Sequence, residues 1–294
     1  MKILLLGANG FIGSSILMRL MSAGHEVTGL ARNPDRAALR WPAARWLKRD
    51  LATLTGIADW HELVEDHAVI VNCAGALQDG PADDLAATQE RSMRALYESA
   101  LLAGGKRIVQ ISAPSVPKLD YLPFLATKRR ADDALKSSGV EYVILRPALV
   151  LGRNAHGGSA LIRALASAPF VLPLIHADSL VQTVAVDDVA QQVLEAVEGN
   201  TSGADVDLAA SERLTLAQLV QLHRQWLGLP SATVFRVPSS IGRFCTLLAD
   251  LAGWLGWRSP LRSTAMVVME QGVISRPRTG DATAGPTLQT AQQA

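Results

Sequence analysis

ILLLGANGFIG, residues 3–13, joins an apolar run to a glycine-rich turn, and the helical pattern of residues 14–21 follows directly. A strand, a glycine-rich turn and a helix in this order form a seat for the pyrophosphate of a dinucleotide. The helix presents its unsatisfied N–H groups and the positive end of its dipole to the anion. Residues 3–13 therefore predict a dinucleotide-binding turn.

Each glycine of this turn has a separate expected task. Gly7 lets the chain turn sharply off the strand, Gly10 removes a Cβ that would hold phosphates away from the backbone, and Gly13 lets helix and sheet pack closely. A second predicted strand at residues 25–30 gives the turn the setting of a βαβ unit. The predicted cofactor-binding set of the turn also includes Asn9, Phe11 and Ile12.

Apolar runs alternate with helical patterns over the first half of the chain. Strands are predicted at 3–6, 26–30, 68–72, 107–112 and 141–146, and helices around 13–22, 57–64, 84–103 and 125–138. The runs 69–71 and 108–111 are apolar at nearly every position, as in strands that helices cover on both faces. The pattern predicts an α/β fold, namely a Rossmann-type doubly wound parallel sheet with a smaller C-terminal α/β lobe.

The regular alternation of apolar runs and helical patterns ends after Arg146-Pro147, where a glycine-rich loop and a short helix begin a separate section. We predict a Rossmann domain over 1–151 that is rejoined by residues 176–210. Residues 152–175 and 211–274 are predicted to form a smaller substrate or partner lobe. Residues 275–294 are rich in Thr, Gln, Gly, Ala and Pro without periodicity, which predicts a disordered tail.

Charge and cysteine content argue against several classes of protein. The 294 residues carry a net charge of +1, so the chain lacks the electrostatic footprint of a nucleic-acid-binding protein. Cys73 and Cys245 make neither a disulfide framework nor a CxxC zinc site, and the six histidines show no metal-ligand spacing. We expect a cytoplasmic protein without a metal, in which Cys73 is a small buried apolar residue. The sequence contains no run of 18 apolar residues, so it predicts no membrane-spanning helix.

Further motifs follow in the order of a known family. They are Asp50-Leu51, Asn72-Cys73-Ala74-Gly75, Ser112 at a strand end, Lys128 on the next helix, and Arg146-Pro147. With the glycine spacing they resemble the extended and atypical short-chain dehydrogenase/reductases, which are NAD-dependent epimerase/dehydratase-like, over roughly residues 1–210. Within that superfamily the chain is most similar to NmrA-like and complex I 39 kDa subunit-like members.

The resemblance implies that several of these residues line a cofactor site. Asp50 and Leu51 are implied to lie near the adenine, although an aspartate before Leu51 equally suits a simple turn. Both interpretations of Asp50 stay open. Asn72, Ala74 and Gly75 end the fourth strand, where small residues let the backbone approach the cofactor.

The residue after the second strand bears on the choice between NADPH and NADH. NAD-preferring members carry an acidic residue there, which binds the ribose hydroxyls and would repel a 2′-phosphate. That place falls on Ala31 and is followed by Arg32, whose guanidinium suits a phosphate. We predict NADP(H) as the preferred cofactor and NAD(H) as the second candidate. The alternative is that Arg32 is a solvated loop residue before Asn33-Pro34-Asp35.

The place of the family's catalytic tyrosine holds Phe124. Active members use a Tyr four residues before the Lys, so that the ammonium lowers the phenol pKa and the phenol exchanges a proton with the substrate. Here Phe124 stands four residues before Lys128, and Phe has no proton to donate. Tyr121 lies seven residues before Lys128, and Pro123 between them predicts that Tyr121 lies outside the helix.

Ser112 and Lys128 remain as candidate catalytic residues. Lys128 is implied to hydrogen-bond the nicotinamide ribose, a role that needs no phenol; alternatively it is a solvated lysine of the run Lys128-Arg129-Arg130. Ser112 either polarises a carbonyl or caps the strand end. Arg146-Pro147 is expected to fix the exit of the chain from the sheet.

Residues 239–258 carry a broad apolar stripe with tryptophans and a following arginine: Ile241, Phe244, Leu247, Leu248, Leu251, Leu255, Trp254, Trp257 and Arg258. A helix with this pattern suits either packing on the smaller lobe or contact with a membrane interface. Peripheral contact with the inner face of a membrane through 239–258 therefore stays open.

Two functions from different classes fit these residues. One is an NADPH-dependent oxidoreductase that acts on a small carbonyl or similar substrate with Ser112 or water as the proton donor. The other is a cofactor-binding sensor, or a structural or assembly subunit with a protein partner. Phe124 favours the second function because it removes the usual acid. The small molecule or protein that the chain recognises besides a dinucleotide is not identified by any motif.

Overall fold

A computed structural model of the chain describes residues 1–75, 79–80, 84–153, 158–199 and 201–242, with the isolated positions 246, 267, 268, 270, 272 and 288–291. The predicted disordered tail, 275–294, lies outside the described residues apart from 288–291. Most of the predicted helix at 239–258 also lies outside them, because the continuous description stops at residue 242.

Strands and helices alternate along the chain. The strands are β1 (Lys2–Leu6), β2 (Glu26–Ala31), β3 (Arg45–Lys48), β4 (Val69–Asn72), β5 (Arg107–Ile111), β6 (Tyr142–Pro147), β7 (Leu149–Leu151), β8 (Val171–Leu174), β9 (Leu180–Val181), β10 (Thr183–Ala185), β11 (Ala204–Leu208), β12 (Leu214–Thr215) and β13 (Thr233–Arg236). The α-helices are α1 (Phe11–Ser22), α2 (Asp35–Arg40), α3 (Ile57–Glu65), α4 (Ser92–Leu102), α5 (Pro123–Ser137), α6 (Gly158–Ala166), α7 (Val186–Glu198) and α8 (Leu216–Trp226). One turn of π-helix, Ala87–Arg91, precedes α4.

The chain forms two compact units. The first unit contains Met1–Arg146 and Asp187–Asp207, and the second contains Pro147–Val186 and Leu208–Ala294. The chain therefore leaves the first unit after Arg146, returns at Asp187 and leaves again after Asp207. The sequence placed the first exit at residue 151 and the return near 176, so the segment 176–186 is the main difference between the two divisions.

A sheet of seven strands in the order β11-β6-β5-β4-β1-β2-β3 forms the centre of the first unit. The neighbours from β6 to β3 pair in parallel. The edge strand β11 runs the same way, since Gly203 donates to Tyr142 and Ala148 donates to Leu208. Parallel strands need helical crossovers that cover both faces, which explains the unbroken apolar runs in the sequence. The predicted doubly wound α/β fold is confirmed.

The parallel register brings the carboxyl ends of the central strands to one edge of the sheet. Leu6 at the end of β1 lies opposite Leu30 of β2 and Asn72 of β4, and Asn72 lies opposite Gln110 of β5. Loops that leave parallel strands at this edge form the usual ligand crevice of such folds. The segments after Leu6, Ala31, Asn72 and Ile111 therefore share one end of the first unit.

Over the residues that the structure describes, the second unit contains short strand pairs and the helices α6 and α8. β10 pairs with β7, β12 with β9, and β13 with β8. A separate apolar cluster holds it together, with Leu172, Leu174 and Leu219 among its fully buried members. α8 begins with a capping box in which the Thr215 side chain accepts from the backbone of Gln218 and the Gln218 side chain accepts from that of Thr215.

Candidate dinucleotide site

The glycine turn after β1 has the geometry that its sequence predicts. Gly7 has a φ of +73°, and a Cβ there would lie 2.9 Å from the Cα of Ala74, so both the backbone conformation and the close neighbour require glycine. The N–H of Gly10 donates to the Gly7 carbonyl at 3.0 Å, which closes the turn. A Cβ on Gly13 would overlap that same carbonyl oxygen. The turn and the first turn of α1 are therefore packed as one piece.

The start of α1 suits an anion. Gly10 is the N-cap and supplies no side-chain cap, and no acidic residue lies in the first helical turn. Gly10 is exposed, and a Cβ there would meet only the Gly7 oxygen, at 3.2 Å, among neighbours within 4 Å. Phe11 and Ile12 are half-buried beside it. The positive end of the helix dipole is thus not compensated by a carboxylate of its own first turn.

The loop after β2 is fastened to the glycine turn. The side chain of Asn9 donates from Nδ2 to the carbonyl of Asn33 at 3.2 Å. Ala31, the last residue of β2, is buried, whereas Arg32 is exposed next to it. Lys48, the last residue of β3, is also exposed and lies opposite Ala31 in the sheet. Two exposed cationic side chains, Arg32 and Lys48, therefore lie at this end of the sheet.

Asp50 has a structural task. Its Oδ1 accepts a hydrogen bond from the N–H of Ala52 at 3.0 Å and caps the short 3-10 helix Leu51–Thr53. Leu51 is buried in the core of the first unit. These contacts favour the turn interpretation of Asp50 and Leu51 for their side chains, while the adenine contact stays a proposal.

The side chain of Asn72 also makes its hydrogen bonds within the protein. Its Nδ2 donates to the Sδ of Met93 and to Oε1 of Gln110, both at 2.9 Å, and its Oδ1 accepts from the N–H of Ala74 at 3.0 Å. Asn72 is 2% exposed. The side chain therefore sets the course of the chain after β4, and any contact from this strand end to a cofactor would come from the backbone around Ala74 and Gly75.

Lys128 is a buried residue of the site and not a solvated helix lysine. It is 7% exposed, and its Nζ donates to the carbonyls of Ala74 at 3.0 Å and Ile111 at 3.1 Å. These carbonyls follow β4 and end β5, so Lys128 joins two neighbouring strand ends. A Cβ on Gly75 would lie 3.4 Å from the ammonium nitrogen and 3.7 Å from Oε1 of Gln89. The lack of a side chain at Gly75 therefore keeps space beside a cation and a buried amide.

Burial sets the protonation of the groups around Lys128. It lowers the pKa of Lys128 below its usual value, and the nearby carboxylate of Asp132 opposes that shift. The thiol of Cys73 donates to the Leu6 carbonyl at 2.8 Å, and burial raises its pKa to about 12. These contacts favour the protonated thiol of Cys73.

Ser112 belongs to a buried ionic network. Its hydroxyl donates to Oδ2 of Asp132 at 2.5 Å and accepts from Nη1 of Arg146 at 3.3 Å. Arg146 also donates to the Ala113 carbonyl at 3.0 Å, and it pairs with Asp132 at 2.8 Å and with Asp205 at 2.6 Å. The hydroxyl proton of Ser112 is thus already engaged inside the protein. Arg146 does more than fix the exit of the chain, since it joins two carboxylates and the end of β5.

The remaining candidate proton donors are also accounted for. α5 begins at Pro123, so Phe124 lies in its first turn and Tyr121 lies outside the helix, 69% exposed. The hydroxyl of Thr127 donates to the carbonyls of Pro123 and Phe124 at 2.9 and 3.1 Å. None of these side chains takes the place of the missing phenol.

The sequence patterns did not indicate two residues of this region, Gln89 and Asp132. Gln89 approaches Gly75 from the π-helical turn before α4, and such a turn has no pattern of its own in the sequence. Asp132 follows Lys128 by one helical turn, and that spacing was its available signal. The significance of Asp132 depends on Arg146, which only the sheet brings close.

The family described as NAD(P)H-binding matches residues 7–200, which is more than half of the 294 residues. The match begins at the first glycine of the turn and includes Lys128, Arg146 and Asp187.

Several curated proteins are similar to the chain. An uncharacterized protein of Mycobacterium tuberculosis is 29% identical over 243 residues, which cover 81% of the chain and 25% of that protein. A ceramide reductase of Caulobacter vibrioides is 24% identical over 189 residues, 64% of the chain and 58% of the reductase. The photosystem II assembly factor Ycf39 of Guillardia theta is 31% identical over 145 residues, 48% of the chain and 44% of the factor. The chain spans a quarter of the length of its mycobacterial relatives.

Solved structures share the fold. The enzyme WbmH of Bordetella bronchiseptica in complex with NAD+ superimposes with a TM-score of 0.67 and 19% identity, over 80% of this chain and 85% of that one. This likeness concerns the backbone architecture.

Proposed function

The chain belongs to the NAD(P)H-binding family, among the atypical short-chain dehydrogenase/reductases, and from this membership we propose that it binds NADPH without turning it over. In this proposal the protein is a cofactor sensor or a structural or assembly subunit with a protein partner. The similarity to a photosystem II assembly factor is in keeping with such a role.

The residues at the carboxyl edge of the sheet fit a dinucleotide. The pyrophosphate would lie against the turn from Gly7 to Gly13 and the start of α1, where no carboxylate of the first turn opposes an anion. Lys128 would hydrogen-bond the ribose next to the nicotinamide through a donor that the two carbonyls do not use. A bound nicotinamide supplies hydride chemistry, whereas this chain supplies its position and charge.

Arg32 supports NADPH over NADH. It follows the buried Ala31, it is exposed, and the bond from Asn9 to Asn33 holds its loop beside the glycine turn. An exposed guanidinium can give a 2′-phosphate planar, charge-assisted hydrogen bonds, and no carboxylate occupies position 31 or 32.

One observation supports the proposed absence of NADPH turnover. The hydroxyl that the sequence offers as an alternative acid, that of Ser112, donates to Asp132 inside the protein, as the neighbouring Thr127 hydroxyl does to backbone carbonyls, and position 124 is Phe. A positioned general acid is worth about 10² to 10⁴ in rate, so the arrangement favours binding over catalysis.

An oxidoreductase is the second candidate because Lys128 keeps a buried amino group beside the proposed nicotinamide position. The similarity to a ceramide reductase supports this alternative. In that case water would supply the proton that a reduced carbonyl needs, since the Ser112 hydroxyl already donates to Asp132.

We also propose a cytoplasmic location, on the ground of two cysteines without a disulfide pattern. Among the residues that the structure describes, no helix is both long and apolar enough to cross a bilayer. Contact of 239–258 with a membrane surface stays a proposal from the amino-acid pattern alone.

A titration of the purified chain with NADPH and NADH, followed by NADPH consumption against a panel of carbonyl compounds, tests the proposal. We expect tighter binding of NADPH, no consumption by the parent chain, and measurable consumption by Phe124→Tyr. Steady consumption by the parent would establish the oxidoreductase instead. Failure to bind either nucleotide would refute both functions.

A further inference from the structure

α5 places a carboxylate one helical turn from Lys128. Asp132 follows Lys128 by four residues, which is one turn of an α-helix, so the two side chains share a face. Both are buried, at 0% and 7% exposure. A buried lysine and a buried aspartate on one helical face interact with little screening by solvent.

The hydrogen bonds of Lys128 alone do not account for a buried cation. Its two acceptors, the carbonyls of Ala74 and Ile111, are neutral. An ammonium removed from water is expensive unless an opposite charge is near. The charged and titratable groups that face Lys128 are Asp132 on α5, the thiol of Cys73 after β4 and Arg146 on β6. Asp132 is the carboxylate of this group.

Arg146 does not cancel the effect of Asp132, because it has a second carboxylate. Its Nε and Nη2 donate to both oxygens of Asp205, at 2.6 and 3.1 Å. Burial works against ionisation of Asp205, yet hydrogen bonds from Arg146 and Lys136 hold its pKa at about 2. Arg146 is therefore shared between two carboxylates, so Asp132 is not its only ionic partner.

We propose that Asp132 is the positioning residue of the cofactor site, which keeps Lys128 as an ammonium and holds the Ser112 hydroxyl away from the ligand. The proposal rests on the proposed function insofar as Lys128 faces the cofactor. Both effects come from one carboxylate. Its Oδ2 accepts a hydrogen bond from the Ser112 hydroxyl at 2.5 Å and pairs with Arg146, and Asp132 lies one helical turn from Lys128.

The direction of the pKa shifts agrees with this geometry. Burial lowers the pKa of Lys128, and Asp132 is the first of the groups that raise it again. Burial raises the pKa of Asp132 as well, while Arg146 and the Ser112 hydroxyl oppose that rise. Tyr97 of α4 also lies near Asp132, and burial keeps its phenol protonated. Removal of the Asp132 charge leaves Lys128 with desolvation and the repulsion of Arg146.

The experiment measures the pH dependence of NADPH affinity in the parent chain, in Asp132→Asn and in Asp133→Asn. Asp133 is the matched control, since it lies next to Asp132 on α5 but is exposed. We expect the affinity of Asp132→Asn to decline at a pH about one unit or more below that of the parent, because a near opposite charge typically moves a pKa by about 1 to 3 units. The Asp133→Asn profile should match the parent. Superimposable profiles for all three chains would overturn the proposal.

A second measurement reports on the parent chain without the cofactor, and a variant serves only to assign the resonance. The Cε resonance of Lys128 in the ¹³C-lysine-labelled chain, assigned through Lys128→Arg, reports its protonation in the absence of nucleotide. We expect the ammonium form at pH 8 in the parent. A neutral Lys128 at that pH would overturn the proposal whether or not NADPH binds. Loss of NADPH binding by the parent would refute only the proposed function.

Discussion

Replacement of Gly13 by Ala tests whether the glycine turn and α1 form one rigid seat. The new Cβ would overlap the Gly7 carbonyl oxygen, and that oxygen cannot retreat freely because it accepts the N–H of Gly10 at 3.0 Å. Gly7 itself lies against the backbone of Ala74, so the strain extends to the end of β4. Overpacking of this kind costs about 1 to 3 kcal/mol.

The expected result has two parts. The free energy of unfolding falls by about 1 to 3 kcal/mol, and for a chain of this size each kcal/mol lowers Tm by about 2 to 4 °C. Affinity for NADPH falls at least about tenfold, equivalent to about 1.4 kcal/mol, because the N–H groups at the start of α1 move away from the pyrophosphate. Thermal melts and a nucleotide titration measure the two parts separately.

Gly10→Ala is the matched control. Its φ of −76° suits any residue, and its Cβ would meet only the Gly7 oxygen, at 3.2 Å. Because this contact is tight but does not overlap, we expect a smaller loss of stability than for Gly13→Ala, with a loss of affinity because the new methyl occupies the exposed side where the phosphates would lie. A Gly13→Ala chain with the parent's Tm and the parent's affinity for NADPH would refute the reasoning.

Two further predictions concern single side chains. Arg32→Ala should weaken NADPH binding by about 1.5 to 3 kcal/mol, the worth of a charge-assisted hydrogen bond, and leave NADH binding unchanged. The exposed Arg36 offers the control variant Arg36→Ala. An equal loss of affinity for both nucleotides in Arg32→Ala would contradict the 2′-phosphate assignment. His67 is buried between Leu63 and Thr28, and burial lowers its pKa, so the unfolded chain binds more protons near pH 6. Unfolding free energy should therefore fall as pH falls below about 6.5, and less steeply in His67→Gln; parallel curves would argue against a buried neutral imidazole.

The sequence predicted what depends on local chemistry. The glycine turn could be recognised because Gly7, Gly10 and Gly13 are close in the chain and each answers a local steric need. The parallel sheet followed from unbroken apolar runs, since strands covered on both faces have no polar side to display. The absence of the phenol at Phe124 followed from the spacing to Lys128.

What the sequence could not supply depends on residues far apart in the chain. Lys128 meets the carbonyls of Ala74 and Ile111, which lie 54 and 17 residues away, so its burial appears only when β4 and β5 are side by side. The Ser112 hydroxyl donates a hydrogen bond to Asp132, 20 residues later, and no local sequence pattern predicts that bond. The hydrogen-bond partners of such side chains depend on the tertiary structure, whereas the residue types of the site can be read from the sequence.

The pair between Arg146 and Asp205 has a consequence for synthesis of the chain. β6 lies between β5 and β11, and its Arg146 is compensated by a carboxylate 59 residues later. A nascent chain that has emerged only to residue 150 would present an open sheet edge and a guanidinium without its bidentate partner. The sheet can be completed only after β11, Ala204–Leu208, has left the ribosome, so the last strand of the nucleotide-binding unit comes from a segment well downstream of β6.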